Sequence, residues 1–296
     1  MGSNRGVVYI ATGEDYIKEA KNSARSIKSC MPDINISLFT DTDKDITHFD
    51  NIYSIENSRG DYGDSIVQPE MLCYDRTLFI DTDTYITENI SDVFHLLDEF
   101  DVAAAHNPGS RTTPENQGYP DQNVPESFPL YNTGVLALKR NDAVCELLID
   151  WESIYQEHIS KSKSALNQPA FREALYHSDV HVATLPSEYN CRIRYSGSTG
   201  FLSSNAKIVH GRHPESLSKI ADLLNSKSGM RVFSYKDYPL RLDTSSPSFR
   251  FYIRTVLTEG NEHYTYRGRF YNSLNERGTV DTIKRIVRDL KKSLFE

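Results

Sequence analysis

The chain has 296 residues, 25% of them charged and 38% hydrophobic, enough to bury a sizeable core as one large domain or a domain with an appendage. Mean hydropathy is −0.53 and no stretch approaches ~18 consecutive apolar residues, which excludes a transmembrane helix. A net charge of −8 argues against general nucleic-acid binding, so an anionic substrate would need local positive charge or a metal.

GVVYIAT (6–12) reads as a buried strand, and Tyr16, Ala20, Ala24 and Ile27 recur at helical spacing from Glu14 to Cys30. The opening MGSNRGVVYIATG lacks a secretory apolar region, and the expectation is a cytoplasmic enzyme. INISLFTD (34–41) is a second strand, NIYSI (51–55) a third, and residues 64–74 predict a helix leading into RTLFID (76–81). ISDVFHLLDEF (90–100) predicts a short helix with Ser91 as cap, and DVAAAHN (101–107) a strand. Pro108, Pro114, Pro120, Pro125 and Pro129 then mark a long irregular connection, more often a functional loop than spare chain. LYNTGVLALKR (130–140) resumes as a strand, and Asn141 caps a helix whose apolar face carries Val144, Leu147, Leu148, Trp151, Ile154 and Tyr155. A helix over 167–177 and a strand over 180–185 follow. Alternating strands and helices imply an α/β layered fold with a mostly parallel sheet. Cys30, Cys73, Cys145 and Cys191 form no CxxC pair, which suits a reducing compartment.

After His213 the texture changes, and the expected division is 1–213 and 214–296. At 279–296, Val280, Ile283, Ile286, Val287, Leu290 and Leu294 fall on one helical stripe, with Lys284, Arg285, Arg288, Lys291 and Lys292 around it. A helix packed on its own domain is the plainer reading. A basic amphipathic helix making peripheral contact with an anionic membrane or a partner is the sharper one.

FIDTDTYI (79–86) carries the chemistry. In extended chain Asp81 and Asp83 point to one side, and at a sheet's carboxyl edge that is where α/β folds bind ligands. A hard divalent cation, Mn2+ or Mg2+, would relieve their repulsion and bridge to a diphosphate oxygen. The alternative is a turn in which Asp and Thr hydrogen-bond their own backbone.

RTLFIDTDTYI resembles the metal motif of nucleotide-sugar glycosyltransferases with the GT-A fold, closest to the glycogenin-like family 8. VVYIATGEDY, LYNTGVLALKR, LNQPAFREAL and KIVHGR resemble further family segments in the family's order, together spanning about 6–213. The resemblance implies a GT-A (Rossmann-like) α/β fold: a mixed, mostly parallel sheet flanked by helices, here with a C-terminal helical extension. It implies a UDP-sugar donor, a glycan hydroxyl as acceptor, and a metal held by Asp81, Asp83 and His210. Ala11, Thr12, Gly13 and Tyr16 would hold uracil and ribose, with Asp81 and Thr82 near the ribose and Asp41 at the nucleotide's border. Arg59 and Arg212 would meet the diphosphate, and Asn132, Thr133 and Gly134 would border the sugar. Gln168 would place its amide near the reacting carbon. The family has Asp before that glutamine; Asn167 stands here, and an amide serves neither as nucleophile nor as base. A front-face, retaining transfer remains open, with the diphosphate helping to deprotonate the acceptor. An inverting transfer needs a carboxylate base, for which Glu115, Asp121, Glu126 and Glu188 are candidates by position, Asp121 foremost.

A haloacid-dehalogenase-type phosphatase also ends an apolar strand in DxD, with Asp81 as nucleophile and Asp83 as acid/base. That motif normally lies on the chain's first strand, and the YNTGV and NQPAF segments would go unexplained. A non-catalytic nucleotide- or glycan-binding domain is the third reading. A sugar-nucleotide pyrophosphorylase ranks lower, because ATGEDYIKEAKNS lacks its basic Gly-rich loop.

Overall fold

The computed structural model describes residues 4–42, 46–56, 62–107, 124–161, 166–193, 199–234, 241–244, 278–284 and 286–288. In chain order the first elements are β1 (Arg5–Ala11), α1 (Glu14–Cys30), β2 (Asn35–Thr40), β3 (Asn51–Ser54), β4 (Arg76–Ile80), β5 (Thr84–Ile86), α2 (Val93–Leu96), β6 (Val102–His106) and β7 (Tyr131–Lys139). Then come α3 (Asp142–Lys161), α4 (Gln168–His177), β8 (Val182–Leu185), β9 (Cys191–Arg192), β10 (Thr199–Leu202), β11 (Ile208–His210), α5 (Leu217–Asn225), β12 (Arg231–Ser234) and β13 (Arg241–Thr244).

Alternation along the strands builds a sheet covered on both faces. In β1, Val7, Tyr9 and Ala11 join one apolar cluster, and Val8 and Ile10 join another. The first cluster takes Ala20, Ala24 and Ile27 of α1; the second takes Leu147, Leu148, Trp151 and Tyr155 of α3 and Ala170 and Phe171 of α4. The seven strands run in the order β3-β2-β1-β4-β7-β6-β8. β3, β2, β1 and β4 are parallel, β7 is antiparallel to both its neighbours, and β8 is parallel to β6. This is the GT-A type of mixed, mostly parallel sheet flanked by helices. Reversal of β7 brings its first residues to the carboxyl edge of β4.

α1 starts and stops where the sequence predicts, and Asn141 caps α3, its Oδ1 accepting from the Val144 amide at 2.9 Å. Residues 64–74 do not form the expected helix. Two 3-10 turns, Tyr62–Ser65 and Pro69–Met71, take their place, because Pro69 has no amide to continue a helical ladder. The helix expected over 90–100 shrinks to α2; beyond it Asp98 and Glu99 bond three residues back, to His95 and Leu96, and the chain tightens instead of extending.

A three-stranded sheet, β5-β11-β9, sits beside the main one: β11 is antiparallel to β5, with His210 opposite Thr84, and parallel to β9, with His210 opposite Arg192. The chain divides into two compact units, Met1–Leu242 and Asp243–Glu296. Ile220, Ala221 and Leu224 of α5 pack with Leu202, Val209 and Phe233 inside the first unit. In the second unit a helical stretch covers 278–284 and 286–288, with Val280, Ile283, Ile286 and Val287 exposed; Leu290, Leu294, Lys291 and Lys292 of the expected stripe lie outside the described residues. Among the described residues no helix is long and apolar enough to cross a membrane.

Candidate metal and donor site

The DTD turn ends β4 and is tied down on both sides. The Asp81 amide donates to the Gly134 carbonyl of β7, and the Gly211 amide donates to the Asp83 carbonyl, both at 2.8 Å. Thr84 makes the local turn bond, its Oγ1 donating to the Asp81 carbonyl at 2.9 Å. Both carboxylates are thereby left to face His210, whose Nε2 lies 3.4 Å from Asp81 Oδ2 and 3.3 Å from Asp83 Oδ1. Burial would push the Asp83 carboxyl up. His210 when its ring is protonated, then the Arg192 and Arg212 guanidiniums, outweigh that and hold it well below the usual carboxylate range.

Among the described residues, Asp81, Asp83 and His210 are the one group of three metal-ligating side chains close enough to share an ion, their ligand atoms lying within 4.8 Å of one another. Two carboxylates and an imidazole suit a Mn2+-like ion. The backbone beside them fits that use: a Cβ on Gly134 would stand 2.2 Å from His210 Cε1 and 2.3 Å from Asp81 Oδ2. Only a bare backbone lets β7 come this close to those side chains.

These three side chains open into a cavity of about 610 Å³, within the usual range for small-molecule sites. It collects Thr12, Tyr16, Asp81, Thr82, Asp83, Thr133, Asn167, Gln168, His210 and Arg212 from the sequence-derived set. Tyr16 is 48% exposed, and the Arg212 guanidinium lies over its ring at 5.3 Å. Glu19 also holds that guanidinium, accepting from Nε and Nη2 at 2.9 Å each. This bidentate partner raises the Arg212 pKa and fixes its fork. Thr82 Oγ1 also donates to Glu19, at 3.0 Å.

Other expected residues lie around and beneath the cavity. The Ala11 side chain is in the core, and the Gly13 amide donates to Asp41 Oδ1 at 2.9 Å, so Thr12 is the member of that turn facing the cavity. Asn132 lies beneath the cavity, 1% exposed, its Oδ1 accepting from the Gly134 amide at 3.1 Å and from Asn190 Nδ2 at 2.8 Å. Asn167 is a strut: Nδ2 donates to Ser65 Oγ at 2.9 Å, Oδ1 accepts from Thr133, and the carbonyl accepts from Trp151 Nε1 at 3.0 Å. Gln168 Oε1 accepts from Asn107 Nδ2 at 2.7 Å, which leaves its own amide nitrogen to donate. Glu188 is no free base. Its Oε1 accepts from Ser203 Oγ and from the Ser203 and Ser204 amides, and it anchors the chain after β10. Glu126 is exposed, while Arg59, Glu115 and Asp121 lie outside the described residues.

Sequence reasoning missed Arg192, Asn190, Glu19, Asn107 and Asp64. Arg192 lines the cavity, and its Nη1 donates to His210 Nε2. Asp64, in the first 3-10 turn, lines the cavity near Thr12. Of these, Glu19 had a local signal, since it lies three residues after Tyr16 on the same face of α1.

No protein-family model matches the chain, and no curated protein matches it. Solved structures do. An active-site mutant of LgtC is 13% identical, covers 74% of this chain and 93% of its own, and gives a TM-score of 0.50. The galactosyltransferase LgtC with donor and acceptor sugar analogs is 14% identical over the same shares, at 0.49. Mouse xyloside xylosyltransferase 1 in its apo form is 15% identical over 70% and 97%, at 0.45. At these identities the likeness is one of fold, and the LgtC mutant carries it.

Proposed function

We propose that this chain is a metal-dependent glycosyltransferase, moving a sugar from a UDP-sugar to a hydroxyl of a glycan acceptor. The observation that supports it most is the convergence of Asp81, Asp83 and His210 at the sheet's carboxyl edge, opening into a cavity with two arginines. Asp81, Asp83 and His210 would hold Mn2+ or Mg2+, and the ion would offset negative charge on the departing diphosphate. Arg212, already aligned by Glu19, donates to diphosphate oxygens, and Arg192 adds a second guanidinium in the same cavity. The open face of Tyr16 takes the base, with Thr12 beside it. Gln168, its carbonyl engaged by Asn107, donates its amide N–H to the sugar near the reacting carbon. Asn167 has no proton-accepting role, because its side chain is bound at both ends. That favours front-face transfer, in which the acceptor proton passes to the leaving diphosphate oxygen.

The test is calorimetry of UDP and of UDP-glucose, UDP-galactose and UDP-xylose with and without Mn2+, followed by transfer assays. Expected is metal-dependent binding and UDP release coupled to transfer, both abolished in Asp83→Ala with the fold intact. Near-wild-type transfer by that variant sinks the reading. Free phosphate from a phosphomonoester would instead assign the phosphatase, and UDP binding without transfer to any acceptor the binding domain.

A further inference from the structure

We infer that Asn190, set by Asn132, is a positioning residue that decides which nitrogen of His210 is offered to the metal. The inference rests on the metal reading above. The chain of hydrogen bonds starts from a group whose chemistry is fixed. The Gly134 backbone amide can only donate, so the Asn132 atom that meets it at 3.1 Å is Oδ1. The Asn190 atom 2.8 Å from that same oxygen must donate too, and is Nδ2. The other end of Asn190 is therefore its carbonyl oxygen, which lies 2.8 Å from His210 Nδ1. An oxygen there requires a proton on Nδ1, whatever the charge of the ring. Nε2 is the nitrogen left to give a lone pair, and it faces Asp81, Asp83 and the Nη1 donor of Arg192.

Burial makes the order rigid. Asn132, Asn190 and His210 are 1%, 2% and 0% exposed, so no water competes for these atoms. Asn132 Nδ2 is buried with no hydrogen-bond partner among the described residues. Turning the amide over to satisfy it would set an NH2 group against the Gly134 amide and against Asn190. The orphan nitrogen thus marks an orientation the neighbours impose. The backbone that approaches the ligands at Gly134 also dictates, through two side-chain amides, how the third ligand presents itself.

Two readouts test this, neither of them turnover. Metal-free protein labelled with 15N-histidine reports the His210 tautomer, assigned by loss of its signals in His210→Gln. Mn2+ affinity is measured by electron paramagnetic resonance on wild type, Asn190→Asp and Asn190→Leu, with circular dichroism as the fold control. Expected is the Nδ1–H pattern in wild type and in Asn190→Asp, whose carboxylate accepts the same proton but loses the donor to Asn132 Oδ1, so that Mn2+ binding is retained at some cost in thermal stability. Asn190→Leu should lose the fixed tautomer and bind Mn2+ about 10–100-fold more weakly. An Nε2–H pattern in the wild type overturns the inference without any variant, even if Asn190→Leu fails to fold. So does a folded Asn190→Leu with wild-type Mn2+ affinity. Wild type that binds no Mn2+ while showing Nδ1–H would sink the metal reading and leave the tautomer assignment standing.

Discussion

Gly134→Ala places one methyl carbon where the site has no room. Ordinary Cβ contacts begin at 3.4 Å and this one would be 2.2 Å from His210 Cε1, so about 1.2 Å of retreat is needed. Asp81 Oδ2, at 2.3 Å, needs nearly as much. β7 itself cannot withdraw, being paired to β4 on one side and β6 on the other. Relief must come from the tips of His210 and Asp81, two of the three candidate ligands. The fold should therefore lose only what overpacking takes, roughly 1–3 kcal/mol. At about 2–4 °C per kcal/mol for a unit of this size, that is a fall in Tm of several degrees. Metal sites tolerate displacements of only about 0.2 Å, so Mn2+ affinity should collapse by far more than the stability does. Calorimetry of Mn2+ binding alongside thermal denaturation separates the two. Wild-type Mn2+ affinity in a folded Gly134→Ala protein would show that Asp81 and His210 do not act as joint ligands.

Gln168→Ala should lower kcat/KM for transfer about tenfold or more, the equivalent of one hydrogen bond of about 1.4 kcal/mol, while Mn2+ and UDP binding stay unchanged. Arg212→Ala should weaken UDP binding roughly tenfold, as expected for a charge-assisted hydrogen bond, and Glu19→Gln should give a smaller loss in the same direction, both read by calorimetry. For Glu188, burial pushes the carboxyl up, but the Ser203 and Ser204 amides and the Ser203 hydroxyl together hold it below its ordinary value. A depressed folded pKa means the contribution is present above the unfolded value of about 4.3 and is lost as pH falls through the folded pKa. Urea unfolding below about pH 4.3 should therefore show a shallower loss of stability in Glu188→Gln than in the wild type.

How much of this was legible depends on distance along the chain. α1 declared itself because Ala20, Ala24 and Ile27 repeat at helical spacing, and α3 because Asn141 precedes a long apolar face. The helix expected at 64–74 failed where Ile66 and Val67, both buried, are followed by Pro69: burial imitated a helical face and proline interrupted it. Asp81 and Asp83 announced a site by their spacing. Asn190 and Arg192 did not, because their meaning comes from β9 lying beside β11, a pairing of short strands that no local pattern records. Asn132 was visible in YNTGV, but its place beneath the cavity follows from the reversal of β7, which only the sheet order reveals.

The proline-rich span between β6 and β7 is closed at its base. The Asn107 amide donates to the Leu130 carbonyl at 2.9 Å, and His106 sits opposite Tyr131. Both ends of the span therefore emerge at one clasp, and residues can be gained or lost above it without a slip in strand register. A foreign loop could be grafted there as a cartridge, cutting after residue 107 so that Asn107 keeps its grip on Gln168.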